Sequence, residues 1–163
     1  MEPVEFQPKI SPVDPPNGRY SSKLDDKGRL KLPVPFQTYL STLPEKGLFV
    51  TSIDRDTAQI YPILAWRENL KLLNEQKEHS EHAETVLFNA QDLGADAEMD
   101  SQGRITVNSE LRQSLDMDGQ ALHLYWERGH INICTEAIYQ QLRLAAIERA
   151  KVAAKSLKGA GLQ

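Results

Sequence analysis

The run Lys23-Leu24-Asp25-Asp26-Lys27-Gly28-Arg29-Leu30-Lys31-Leu32 returns 75 residues later as Glu98-Met99-Asp100-Ser101-Gln102-Gly103-Arg104-Ile105-Thr106-Val107. Asp, Gly and Arg keep their places, and the apolar positions stay apolar. The register extends outward, with Phe36 mapping to Leu111 and Leu40 to Leu115. After a short length change, Leu48-Phe49-Val50 corresponds to Leu122-His123-Leu124, and Trp66 to Tyr139. The chain is two copies of one unit, and a repeat of this kind governs every local reading that follows.

Each unit has the same grammar. Asp-x-x-Gly-Arg lies between short alternating runs, which is hairpin chemistry: Asp bonds the backbone ahead of it, and Gly supplies a positive φ. After the turn, Leu30 and Leu32 alternate with Arg29 and Lys31, so one strand face is apolar and the other cationic; Ile105 and Val107 alternate with Arg104 and Thr106 in the same way. Pro33-Val34-Pro35 and Asn108-Ser109-Glu110 then break the strand and open a short helix, with Ser109 expected as the cap of the second. A second hairpin follows in each half: Leu48 to Ile53 with Thr57 to Tyr61, and Ala121 to Trp126 with Ile131 to Cys134. Helices close the halves. They are expected from about Ile63 through Lys77, near Ala83 to Asn89, and from about Glu136 to Leu157, the last with an apolar stripe at Ile138, Leu142 and Ala145 and a basic end at Arg149, Lys151, Lys155 and Lys158.

Composition bounds the function classes. The 163 residues are 40% hydrophobic and 26% charged, enough to bury a core as one domain or two very small ones. No apolar run is long enough to span a bilayer, and the acidic, proline-bearing start is unlike a secretory signal. A single cysteine, Cys134, allows no internal disulfide and no Cys-rich zinc site, so a reduced cytoplasmic protein is expected. Nineteen Lys and Arg against 23 Asp and Glu give a net charge of −4, but nucleic acid responds to the field of a patch rather than to the total. The signs are segregated: Lys23 to Lys31 holds four basic and two acidic residues, while Glu68 to Glu84 holds five Glu against Lys71 and Lys77.

The repeated turn admits two explanations. Asp25 and Arg29, like Asp100 and Arg104, can simply pair across a tight turn, and an exposed pair of that kind contributes about 0 to 1 kcal/mol. Alternatively the Asp orients an Arg toward phosphate or guanine. Two copies at one structural place strengthen the case for a shared role.

With the unit Leu24 to Leu30 and Pro33, then Ile60-Tyr61-Pro62 and Trp66, then Met99 to Ile105 and Leu111-Arg112, the chain resembles the MraZ family from about Arg19 to Leu144. The resemblance implies a mixed α+β fold in which two tandem swapped-hairpin (SpoVT-AbrB) units form a pseudo-dimeric β-barrel with flanking helices. Residues 1–18, which hold five of the nine prolines, read as a Pro-rich disordered arm; the resemblance implies a first repeat over 19–67, a helical connector over 68–93 and a second repeat over 94–144, followed by a basic C-terminal helix and tail over 145–163. It further implies a sequence-specific, double-stranded-DNA-binding transcriptional regulator of the bacterial division and cell-wall gene cluster, acting as a repressor. Such a protein would be cytoplasmic and nucleoid-associated, and would bind repeated promoter boxes as a ring-like homo-oligomer. Carried over position by position, Arg29 would be the principal DNA contact, with Lys27, Lys31 and Lys23 beside it. Arg104 would contribute less or serve assembly, and Asp25, Gly28, Asp100 and Gly103 would shape the turns. The Pro-rich arm and Asn108 depart from the family's usual pattern.

Other classes find little support in the residues. His79 and His82 have a helical ligand spacing but no third ligand nearby, and fit a solvated helix face. His123 and His130 have no nucleophile or carboxylate arrangement that suggests catalysis, and Cys134 reads as a small core residue. The expectation is therefore no enzyme, no cofactor, no metal, no membrane and no small-molecule substrate. The rival reading is a protein-interaction module of the antitoxin kind, against which two such units in one chain argue.

Overall fold

The computed structural model describes residues 13–163, so most of the Pro-rich arm, residues 1–12, lies outside the described residues. The fold is mixed α+β. In chain order it runs β1 (Arg19–Lys23), β2 (Arg29–Lys31), α1 (Val34–Ser41), β3 (Leu48–Thr51), β4 (Ala58–Pro62), α2 (Ile63–Asn74) and α3 (Ser80–Leu93). The second half follows with β5 (Ala95–Ala97), β6 (Arg104–Thr106), α4 (Ser109–Ser114), β7 (Ala121–Glu127), β8 (His130–Thr135) and α5 (Glu136–Gly159).

Six strands form one antiparallel sheet in the order β1-β7-β8-β4-β3-β5, and β2 and β6 form a separate two-stranded ribbon. Exchanging each strand for its counterpart in the other repeat reverses the sheet order and leaves it unchanged. The pairing therefore has a twofold character, and its axis falls between β4 and β8, where Gln59 stands opposite its counterpart Asn132. The Gln59 amide Nε2 donates to Asn132 Oδ1 there at 3.4 Å. The sheet stays open, with β1 and β5 as its edges, so barrel closure is not part of this hydrogen-bonding pattern.

The runs flanking each Asp-x-x-Gly-Arg turn do not zip into the hairpin that their alternation suggests. Before the first turn, β1 pairs with β7 of the other half, and before the second, β5 pairs with β3 of the first. After the turns, β2 and β6 pair with each other; between β1 and β2 only the bridge Leu24↔Leu30 remains. Each half thus completes its sheet with a strand from its counterpart.

Alternation assigns the two faces of the sheet. Leu48, Val50, Ile60, Leu122, Leu124, Ile131 and Ile133 meet the ribbon's Leu30 and Ile105 and the helices' Phe36, Leu40 and Leu111 in one core. On the other face Phe49, Tyr61, Trp66 and Ala90 form a second cluster under α2 and α3, with Phe49 stacked on Trp66 at 4.7 Å. The counterpart stack in the second half is His123 on Tyr139 at 4.1 Å.

Local chemistry explains the helix starts. Pro35 enters α1 in its first turn, where a missing N–H costs nothing. At α4 the cap is Asn108 rather than Ser109: Asn108 has extended φ and ψ, and its Oδ1 accepts from Leu111 N at 2.8 Å, while Ser109 is already helical. At α5, Thr135 Oγ1 accepts from Ile138 N. Asp14 to Arg19 line an open cavity of about 640 Å³ with Tyr125, Trp126 and Tyr139, and Pro15 and Pro16 are half-buried.

Because the strands are exchanged, the halves should unfold together. Leu30→Ala, at a site with 0% exposure, is expected to cost about 2–5 kcal/mol. In urea melts of Trp66→Phe and Trp126→Phe backgrounds, the remaining tryptophan should report the same loss from either half; a shift confined to one of them would contradict the shared core.

Candidate nucleic-acid interface

The ribbon is where the repeated motif converges. In the β2–β6 register, Arg29 stands opposite Thr106, Leu30 opposite Ile105, and Lys31 opposite Arg104. Leu30 and Ile105 point into the core, so Arg29, Lys31, Arg104 and Thr106 share the outward face. Lys31 Nζ also donates to the Gln102 carbonyl in the second turn. The ribbon continues by one bond at each end, Leu32 N to Gly103 O and Val107 N to Gly28 O, both at 2.9 Å. One turn therefore sits at either end of a short cationic ribbon.

Each turn is built by its aspartate. Asp25 Oδ1 accepts from the backbone N–H of Lys27 and of Arg29, both at 2.9 Å, and Oδ2 accepts from Arg29 Nε at 2.7 Å. Asp100 repeats the pattern with the N–H of Gln102 and Arg104, both at 2.9 Å, and with Arg104 Nε at 2.9 Å. These bonds favour the charged carboxylate: the backbone N–H of Arg29 first, and that of Arg104 in the second turn, hold Asp25 and Asp100 below the ordinary value of 3.8. Pairing and presentation are thus one geometry. The Asp engages Nε, and among the described residues no acceptor takes the terminal Nη groups of either arginine, so both keep their hydrogen-bonding capacity.

Gly28 and Gly103 have φ of +74° and +76°, as the turn requires. They also make room. A Cβ on Gly28 would lie 2.7 Å from Cζ of Arg112, and one on Gly103 would lie 2.2 Å from Cδ of Gln37. Gln37 and Arg112 are counterparts in the repeat register, each on a helix of the other half from the turn it touches. Arg112 is thus a cation beneath the first turn that the motif alone does not disclose. Its Nη1 donates to Asp118 at 3.1 Å, and its Nε is buried without a partner. The second turn has the neutral Gln37 in that place, its Nε2 donating to Leu32 O at 2.6 Å.

The remaining named residues lie nearby or apart. Lys27 is exposed at the tip of the first turn, and Lys23 is exposed at the end of β1, opposite Ala121 on the sheet rather than on the ribbon. His79 and His82 are exposed at the start of α3, and among the described residues no group of three His, Cys, Asp or Glu could hold a metal ion. Cys134 is buried, and burial pushes its thiol up to about 11. His123 lies between Arg19 and Glu136, bonded to Arg19 Nη1 at 2.9 Å and to Glu136 Oε2, and ties the start of α5 to β1. Among the described residues, no helix is long and apolar enough to cross a membrane.

Fold and site together define a duplicated strand-exchanged α+β protein that displays paired Asp–Arg turns on one cationic ribbon. No family model matches the chain. It is 27% identical to the transcriptional regulator MraZ of Acidobacterium capsulatum over 124 residues, covering 76% of this chain and 84% of that protein. It is 29% identical to MraZ of Koribacter versatilis over 104 residues, 63% of this chain and 71% of the relative. It is 33% identical to MraZ of Mycobacterium tuberculosis over 96 residues, 59% and 64%. These similarities support the resemblance of the chain to the MraZ transcriptional regulators.

Because Asp25 and Asp100 titrate below their ordinary value, their support of the turns is complete above that value and is lost as pH falls through the lower folded-state value. Carboxyl carbon shifts followed by NMR should give midpoints below 3.8 for both residues, moving together with the amide shifts of Arg29 and Arg104. Midpoints at or above that value would mean that the aspartates do not organise the turns.

Proposed function

We propose that this protein is a sequence-specific DNA-binding transcriptional regulator whose contact surface is the β2–β6 ribbon with its two turns. The observation that carries the reading is the register that brings Arg29, Lys31 and Arg104 onto one outward face, with both arginines held by aspartate. A two-stranded antiparallel ribbon is narrow enough for the major groove, which is about 12 Å wide. An Arg fixed through Nε can still offer its terminal nitrogens as a fork to guanine or phosphate. In this reading Arg29 is the leading contact, with Lys27 and Lys31 beside it, Lys23 on the flank, and Arg104 entering from the opposite strand.

An acidic chain can bind DNA in this way if several copies line up their ribbons. Weak phosphate contacts then act together through effective concentration. The reading therefore includes a ring-like homo-oligomer on repeated promoter boxes, acting as a repressor in the cytoplasm at the nucleoid. These elements rest on the similarity to the MraZ regulators.

Fluorescence anisotropy on the duplex just upstream of the protein's own gene, against a shuffled duplex, tests the reading. The native duplex should bind more tightly, and Arg29→Ala should lose about 1–3 kcal/mol of that preference. Lys31→Ala should weaken both duplexes alike and lower the salt slope by about one. Equal binding to both duplexes by all three proteins would overturn it.

A further inference from the structure

The outer face of the sheet is not finished alike in the two halves. In the first, α3 packs beside α2, and Thr51 Oγ1 donates to Ala90 O at 2.7 Å. In the second, among the described residues, no helix packs beside α5 in the corresponding place: α3 leads into β5, whereas the described segment that leads into β1 is residues 14–18, along the cavity with Tyr125, Trp126 and Tyr139. None of the side chains of α5 is buried.

Two exposed stripes on these helices have matching chemistry. Along α5, Leu144, Ile147, Lys151, Lys155 and Lys158 recur at intervals of three and four, which places them on one side of the helix. Leu144 and Ile147 are each 62% exposed. Along α3, Glu81, Glu84 and Phe88 share a side opposite the buried Ala83, Ala90 and Leu93, and Phe88 is 66% exposed. An aromatic ring standing in water beside carboxylates is the form of an interface anchor.

We infer that α5 of one copy lies antiparallel along α3 of a second copy, with Phe88 against Leu144 and Ile147, Glu84 against Lys151, and Glu81 against Lys155. Charge complementarity selects a second copy as the occupant, because the acidic stripe and the basic one are both present on this chain. Spacing selects the direction. From Phe88, Glu84 lies about 6 Å and Glu81 about 10 Å toward the start of α3; from Ile147, Lys151 lies about 6 Å and Lys155 about 12 Å toward the end of α5. Apolar meets apolar and acid meets base only when the helices run in opposite senses. The contact joins unlike surfaces, so each copy offers one free donor and one free acceptor face, which closes into rings where the rotation allows. The inference rests on the self-assembly in the proposed function and names the faces that make it.

Mass photometry and light scattering on the full chain test this with two charge-reversed variants, K151E/K155E and E81K/E84K. Each alone should need at least about tenfold more protein to assemble than the wild type, since like charges then face each other. An equimolar mixture should assemble as the wild type does, because each variant's altered helix meets the other's. Unaltered tryptophan fluorescence and circular dichroism would show that the variants fold. Wild-type assembly that both variants retain, or monomeric variants that fail to assemble when mixed, would overturn the inference while leaving self-assembly standing. A wild type that remains monomeric at tens of micromolar would overturn both.

Discussion

Leu30 faces Ile105 across the β2–β6 ribbon at the centre of the molecule, and both are shut off from solvent. Everything else depends on that contact. Its burial removes apolar surface from water only if the two repeats lie against each other with their ribbon strands antiparallel. Antiparallel pairing of equivalent strands generates the twofold relation, and that relation sends β1 to β7 and β5 to β3. The same pairing fixes the outward residues, because period-two alternation turns Arg29, Lys31 and Arg104 away from the core as it turns Leu30 and Ile105 into it. Core formation and the display of the cationic face are thus one event.

The electrostatics follow from that architecture. The ribbon packs on one face of the sheet; α2, α3 and α5 occupy the other. A chain with net charge −4 therefore keeps its ribbon cations apart from the carboxylates of α2, α3 and their connection. Arg112, lodged under Gly28 and paired with Asp118, sets an ion pair beneath the first turn, and the second has the neutral Gln37 instead. The duplication is symmetric in backbone and unequal in charge.

The repeat, the two turns and their Asp and Arg residues were all legible in the sequence, because spacing and residue type carry them directly. The helices were legible too, although α3 starts at Ser80 and ends at Leu93, wider than its apolar residues alone mark out. Strand partners were not. Alternation tells which face of a strand is buried but not which strand lies beside it, so β1 and β2 read as a hairpin although they share only the Leu24↔Leu30 bridge. Asn108 and Ser109 are both good caps in isolation, and only the backbone angles separate them. Arg112 carries no local signal on its short helix. The repeat register did hold a clue, since it aligns Arg112 with Gln37, and both turn out to contact a turn glycine of the opposite half.

Hydrogen exchange of the protein with and without its upstream duplex would test the central claim most directly. The account predicts new protection over 25–31 and 100–106, on the ribbon and both turns, with little change in the amides of α2 and α5. Protection confined to the outer helices, with the ribbon exchanging as before, would contradict it.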